Sequence, residues 1–230
     1  MEQLPPFTEW KAFQEKLALK LDPNDTFQIS DISFIGGCDI SYKEDNNSLV
    51  AMISVHDFAT LQMVYFDYVE SVQTVEYVAG FLGFKEVPLY RQLIDKIREK
   101  EFFPLVFLVD GFGLLHHRKC GSASMLGIEL DICTVGIGKS LLHLDGLDEK
   151  RTRAEAKKMK ELGGYSLDLV GESGQIWGCA LFEKSERPIY ISIGHKISLP
   201  TAVEIVRKCC IHKIPEPIRF CDIKSRQLLK

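Results

Sequence analysis

The chain has 230 residues, of which 46% are hydrophobic, with a formal net charge of −4 and seven cysteines. That length is one large domain or two small ones, with enough apolar residues to build a core. The acidic total excludes a protein that coats nucleic acid by bulk attraction, and no apolar stretch is long enough to span a membrane.

Residues 9–21 read as a helix with Trp10, Phe13, Leu17 and Leu21 on one side. A strand is expected at 33–41, then two more at 49–56 and 61–69, where apolar and polar residues alternate. The links at 45–47 and 57–60 are short and turn-like, so the three strands form an antiparallel meander. From 84 to 100, Leu89, Leu93 and Ile97 recur at helical spacing, and Glu86 lies on that stripe. Residues 105–109 are continuously apolar, as in a strand buried on both faces. A helix rich in small residues follows at 120–130, a strand at 133–137, a hairpin at 167–182 turning at 171–174, and a strand at 188–194. Residues 199–211 form a helix capped by Ser198, with Pro200 in its first turn. With no repeat and no linker, residues 1–230 are expected to be a single domain.

A meander that runs through a crossover helix into a buried parallel strand is the ribonuclease H-like layout. The expected class is therefore α/β, with a central mixed sheet of meander and parallel strands flanked by helices. In that layout the first strand and the strand after the crossover lie side by side, which brings Asp39 and Asp110 together. Carboxylates among core-bound residues need partners, because an isolated buried charge is too costly. Asp39, Glu86 and Asp110 together point to a divalent metal, since Mg²⁺ takes hard oxygen ligands. Each residue also has a plainer reading. Asp110 could cap a turn before Gly111 and Gly113, Glu86 could be satisfied by a helix N-terminus, His195 could be an ordinary hydrogen-bonded histidine, and Tyr77 could be core.

Five blocks make the reading specific. Gly36-Gly37-Cys38-Asp39-Ile40-Ser41 resembles the Gly-Gly-x-Asp-x-Ser element of the endonuclease V family. Residues 77–88, with Tyr77, Gly80, Phe81, Phe84, Glu86 and Pro88, resemble its Tyr-x-Pro-Gly-(Phe/Leu)-x-x-Phe-Arg-Glu-x-Pro element. Asp110-Gly111-Phe112-Gly113 with His116 and Arg118 is similar to its Asp-Gly-x-Gly-x-x-His-x-Arg element. Gly136-Ile137-Gly138-Lys139-Ser140 and Gly194-His195-Lys196-Ile197-Ser198 resemble two more. The resemblance implies a Mg²⁺-dependent endonuclease, with Mn²⁺ able to substitute. Such an enzyme recognises inosine and hydrolyses the second phosphodiester bond on its 3′ side, leaving 3′-hydroxyl and 5′-phosphate ends. It implies Asp39, Glu86 and Asp110 as metal-binding and catalytic carboxylates, assisted by Lys139 and His195. It further implies Tyr77 in a wedge entering the strand, and Gly80, Leu82, Gly111 and His116 around the extruded base.

The sequence departs from the family where the wedge reads Glu76-Tyr77-Val78-Ala79 in place of Pro-Tyr-Ile-Pro, which softens the loop. Its ending, Ile214-Pro215-Glu216-Pro217-Ile218-Arg219, looks like the animal branch. Single-stranded inosine RNA is therefore the expected partner, with DNA as the alternative; no membrane is expected, and the protein is expected to act as a monomer. Two further classes stay open, a different ribonuclease H-like nuclease and a non-cleaving inosine binder. Two basic runs stand out, one from Lys150 to Lys160 and one from Lys208 to Lys230, each of which is either backbone-gripping surface or a solvated helix face. The cysteines read as buried, reduced thiols, and Met1 to Pro6 lacks the features of a signal peptide. An intracellular location is expected, in the cytoplasm or the nucleus and nucleolus.

Overall fold

The structure, a computed structural model, describes residues 7–43, 48–72 and 78–230. In chain order the first half comprises α1 (Phe7–Ala18), β1 (Phe34–Tyr42), β2 (Ser48–Asp57), β3 (Met63–Val72), α2 (Gly83–Ile97) and β4 (Val106–Asp110). The second half comprises α3 (Ser122–Leu130), β5 (Cys133–Gly138), α4 (Glu149–Glu161), β6 (Ser166–Val170), β7 (Ile176–Leu181), β8 (Ile189–His195), α5 (Leu199–Cys209) and α6 (Glu216–Leu228). The strands form a single eight-stranded sheet in the order β3-β2-β1-β4-β5-β8-β7-β6. β1 to β3 are the expected antiparallel meander. β1, β4 and β5 run parallel, so the ribonuclease H-like layout read from the sequence is the one found.

Helices cover both faces. Val87, Tyr90 and Leu93 of α2 and Ala123 and Leu126 of α3 pack with Leu17 of α1 against Cys38, Ile53, Phe107 and Val109 of the sheet. Ala202, Ile205 and Val206 of α5 and Ile218 of α6 cover Ile35, Leu108, Val135 and Ile191 from the other side. All seven cysteines are buried and unpaired, and burial raises their pKa, that of Cys209 for example, which marks them as core residues. Among the described residues, no helix is long and apolar enough to cross a membrane.

Two details differ from the sequence reading. The first helix ends at Ala18, which leaves Leu21 outside it, and its inner face holds Gln14 rather than Phe13. Gln14 is 1% exposed and Phe13 is 43% exposed. A Trp10, Gln14, Leu17 stripe is still helical, but its middle position is polar because it meets backbone carbonyls rather than side chains. Arg219, Lys224 and Arg226 of the last basic run lie on a helix, α6, whose inner face carries Ile218, Cys221 and Ser225 at helical spacing.

α6 sits on β1 at its barest point. Side chains alternate along a strand, so Asp39 shares a face with Gly37, and Gly37 lies directly under Pro217. Ser54 Oγ donates to the Pro217 carbonyl at 2.9 Å, and Cys221 Sγ donates to the Gly37 carbonyl at 3.6 Å. A Cβ on Gly37 would stand 2.6 Å from Pro217 Cβ and closer still to the Pro217 backbone, so α6 would have to move. Gly37→Ala should destabilise the fold by about 1–3 kcal/mol, the range for overpacking a filled interior. Urea denaturation of the variant measures it, and an unchanged midpoint would show that α6 is not seated there.

Candidate active site

The register of the central strands builds the site. Cys38 of β1 pairs with Val109 of β4, so the next residues, Asp39 and Asp110, leave the sheet side by side. Their carboxyls lie within hydrogen-bonding distance of each other. Asp39 is 2% exposed, and burial followed by the neighbouring Asp110 pushes its pKa well above the usual carboxylate range. Glu86 arrives from the opposite face, in the first turn of α2. Tyr42 Oη donates to its Oε1 at 3.5 Å, and Ser122 also hydrogen-bonds to its carboxyl. Burial and then Asp110 raise the Glu86 pKa to about 8, so desolvation outweighs the helix N-terminus that would favour its charge.

Lys139 is the countercharge. It follows β5, whose Ile137 pairs with Asp110, and its Nζ donates to Asp110 Oδ2 at 2.5 Å. The same Nζ lies 3.6 Å from Asp222 Oδ1 on α6. Burial works against its charge, but the attraction of Asp110, Asp39 and Asp222 prevails and raises its pKa. Asp222 was not singled out from the sequence. Its signal is the one that marked Glu86, a carboxylate on the apolar stripe of a helix, one residue after buried Cys221 and four after Ile218.

His195 is not brought to this cluster. Asp110 pairs with Ile137, which pairs with Ile191, whereas His195 pairs with Thr134 at the other end of β5. Four residues of strand separate the two positions along β8, about 13 Å at strand rise. There His195 Nδ1 accepts from the Asp22 amide at 3.1 Å, its Nε2 lies 3.8 Å from Asp131 Oδ1, and burial lowers its pKa. The plain reading, a hydrogen-bonded histidine at a strand end, is the one its surroundings fit.

A cavity of about 490 Å³ opens beside the carboxylates. Asp39, Glu86, Asp110 and Lys139 lie along its wall, as do Gly80, Leu82, Gly111 and His116. Gly80 has a φ of +80°, a conformation that L side chains rarely adopt, and Arg118 packs directly against it. Its carbonyl accepts from Gln14 Nε2 at 3.1 Å, His116 Nε2 at 3.1 Å and Arg118 Nη2 at 2.5 Å. His116 Nδ1 accepts from the Arg118 amide, which leaves the proton on Nε2. Burial and then Arg118 lower the His116 pKa to about 4, so this ring is neutral at physiological pH. Both His116 nitrogens are spent on the loop, and the ring reaches a ligand as a surface rather than as a donor. Tyr77 lies outside the described residues.

The residues suit a divalent cation. Asp39 Oδ2 and Glu86 Oε2 are buried with no hydrogen-bond partner, a costly state that a cation would relieve. Asp39, Glu86, Asp110 and Asp222 outnumber the two cations paired with them, Lys139 and the Arg226 that holds Asp222 at 2.8 Å, so the cluster carries excess acid. Among the described residues, no three His, Cys, Asp or Glu side chains converge into a ready cage. The donors present are carboxylate oxygens, the hard ligands that Mg²⁺ takes along with water and substrate oxygens.

Comparisons with known proteins agree with this geometry. A model of the endonuclease V family matches residues 15–223. Human endonuclease V is 39% identical over 232 aligned residues, covering 96% of this chain and 82% of the human protein. The mouse protein is 37% identical, with 96% of this chain and 69% of that protein covered. The crystal structure of human endonuclease V superposes with a TM-score of 0.90 at 38% identity, covering 97% of this chain and 98% of that one. Ciona intestinalis endonuclease V, solved with a 24mer DNA containing an inosine followed by a ribo-adenosine, gives 0.92 at 34% identity and covers 97% of each chain.

The raised carboxyl pKa values set a pH dependence. The folded protein holds protons on Asp39 and Glu86 that the unfolded chain has released, so stability falls as pH rises from the ordinary carboxylate range through about 8. In EDTA the melting temperature should drop between pH 5.5 and pH 8.5, and Glu86→Gln should flatten part of that slope. Added Mg²⁺ should stabilise more at pH 8.5 than at 5.5. A wild-type slope no steeper than that of Glu86→Gln would place Glu86 in water.

Proposed function

The chain belongs to the endonuclease V family, and we propose that it uses a divalent cation to cut nucleic acid at inosine, at the second phosphodiester bond on its 3′ side. The products are a 3′-hydroxyl and a 5′-phosphate. The activity is carried by one endonuclease V-like domain acting as a monomer. The observation that carries this reading is that three carboxylates and a lysine, drawn from β1, α2, β4 and the turn after β5, line one cavity with room for an unstacked base, with Asp222 of α6 3.6 Å from that lysine.

Asp39, Glu86, Asp110 and Asp222 would hold Mg²⁺, with Mn²⁺ as a substitute. When bound, such an ion shields the phosphate and lowers the pKa of a coordinated water. Glu86 Oε2 orients the attacking water. Lys139 Nζ would donate to the phosphate oxygens and stabilise the charge that builds there. His195 takes no part. The base enters between the Gly80 loop and Gly111, against Leu82 and the neutral face of His116, where backbone groups read its Watson–Crick edge. Tyr77, by its place in the motif, would be the wedge that stacks on a base of the strand.

Single-stranded RNA is the preferred substrate. The wedge at Glu76-Tyr77-Val78-Ala79 lacks the two prolines that would stiffen it, and opening a duplex costs a few kcal/mol that a loose strand does not. Inosine DNA is the second reading, favoured by the relative from Ciona, which is seen with DNA.

Cleavage of matched 20-nucleotide strands tests this, with one inosine in single- and double-stranded RNA and DNA. Inosine single-stranded RNA should be cut fastest, and its adenosine counterpart should stay intact. Equal cutting of the two would remove the base pocket. Asp110→Asn should abolish cleavage. Asp222→Ala should cost roughly 10–100-fold, the range for disturbing a metal's surroundings. His195→Ala should stay within a few-fold of wild type once folded protein is counted, and a loss matching Asp110→Asn would return His195 to the site.

A further inference from the structure

We propose that Gln14 of α1 is a positioning residue for base selectivity, whose side-chain amide holds the cavity wall in the one arrangement that tells inosine from adenosine. The proposal rests on reading that cavity as a base pocket. α1 lies outside all five motif blocks, which begin at Gly36. Gln14 is nevertheless 1% exposed and borders the cavity.

Its amide makes three long-range bonds. Nε2 donates to the Gly80 carbonyl at 3.1 Å and to the Cys120 carbonyl at 2.8 Å, and Oε1 accepts from Arg118 Nε at 2.6 Å. An arginine only donates and a carbonyl only accepts, so these partners fix which end of the amide points where. A glutamate there would set a carboxylate oxygen against two carbonyls. An aliphatic residue would strip the Cys120 carbonyl and Arg118 Nε of this partner, which is costly for buried groups. The Gly80 carbonyl would keep two donors, His116 and Arg118, but both come from the loop after β4. Of the three donors, Gln14 is the one that ties Gly80 to α1 and to Cys120.

The two carbonyls lead to different parts of the pocket wall. Gly80 is itself one part. Cys120 leads through Gly121 to Ser122, whose Oγ stands so close to Gly111 that a Cβ there would collide with it. The same hydroxyl hydrogen-bonds to Glu86. Trp10, one turn before Gln14, stacks on Phe84 with ring centroids 4.8 Å apart and lies 5.7 Å from Phe81. α1 therefore braces Gly80, Gly111 and the start of α2 as one body. The consequence is for selectivity. Inosine presents an N1–H donor and an O6 acceptor, whereas adenosine presents an N1 acceptor and an N6 donor. Backbone groups separate the two only while each N–H and C=O keeps its place, because hydrogen bonds weaken steeply with angle. A wall free to turn would accept either base. The bonds of Gln14 reach neither a catalytic carboxylate nor Lys139, so selectivity should be lost with the metal site intact.

The test compares Gln14→Met, which keeps length and packing without the amide, with Leu17→Ala, a core truncation one turn further along α1. Each is measured for binding of matched inosine and adenosine RNAs in Ca²⁺, for cleavage of the inosine RNA in Mg²⁺, and for the rise in melting temperature that Mg²⁺ gives. Gln14→Met should lower the inosine-over-adenosine binding ratio on the order of tenfold, the worth of about one hydrogen bond. Its affinity for the adenosine strand and its stabilisation by Mg²⁺ should match wild type. The kcat/KM for inosine RNA should fall by the same factor, through KM. Leu17→Ala should melt lower yet keep the wild-type ratio. An unchanged ratio in Gln14→Met overturns the proposal, as does an equal drop in Leu17→Ala. If Gln14→Met does not fold, Arg118→Lys removes the Nε bond from the half-buried side of the clamp, and an unchanged ratio there overturns the proposal instead. Failure of the base-pocket reading looks different, since wild-type protein would then bind the two strands alike.

Discussion

The parallel pairing of β1 with β4 is the constraint on which the rest depends. It forces Asp39 and Asp110 out of the sheet together, where each carboxyl makes the other's charge more costly. Lys139 offsets part of that cost, and protons retained by Asp39 and Glu86 offset more. The other contributors come from both helical layers, Glu86 from α2 and Asp222 from α6. No local segment contains the site. It exists only once the meander, the crossover and the last helix have all packed.

That dependence explains why bare backbone recurs where the layers meet. At Gly37 the absence of a side chain lets α6 come close enough to deliver Asp222. At Gly80 a positive φ turns a carbonyl toward Gln14, His116 and Arg118. A carbonyl oxygen has two lone pairs, so three donors around it make a crowded, strongly oriented clamp. Arg118 is held further by the Phe81 ring, 4.2 Å from its guanidinium carbon. The wall of the cavity is thereby fixed to α1 and to the loop after β4, although its own sequence is short and rich in turns.

Much of this was legible in the sequence. The alternation in β2, the apolar run of β4 and the stripe of α2 are local signals, and they gave the layout and the pairing of Asp39 with Asp110. Gly80, Leu82, Gly111 and His116 do line the same cavity. The misreadings are those of residues whose meaning is set by register. His195 looks reactive at a strand end before a capped helix, but which end of the sheet it reaches depends on β8 running antiparallel to β5, and spacing does not show that. Asp222 went unnoticed because a basic run obscured the stripe of α6. Gln14 occupies a core position because backbone carbonyls of Gly80 and Cys120 await it there, and these are 66 and 106 residues away.

The site is best understood as an acidic centre beside a cavity whose wall holds the neutral His116 ring and the Arg118 guanidinium. Protein carboxylates repel a phosphate, so on the proposed reading a bound cation would have to offset their charge for a strand to approach. Lys139, already beside Asp110, would lessen the same repulsion. The neutral His116 ring near Gly80 matters for a different reason: with the Arg118 guanidinium held by the Gly80 carbonyl, it offers an uncharged base a flat apolar surface. At about 490 Å³ the cavity falls within the usual range for small-molecule sites, so a seated base would fill much of it. On the proposed reading, seating the base in one part of a rigid cavity determines which phosphate can reach the other part. A cut displaced from the recognised base by a set number of bonds is then a consequence of the sheet's geometry and needs no moving part.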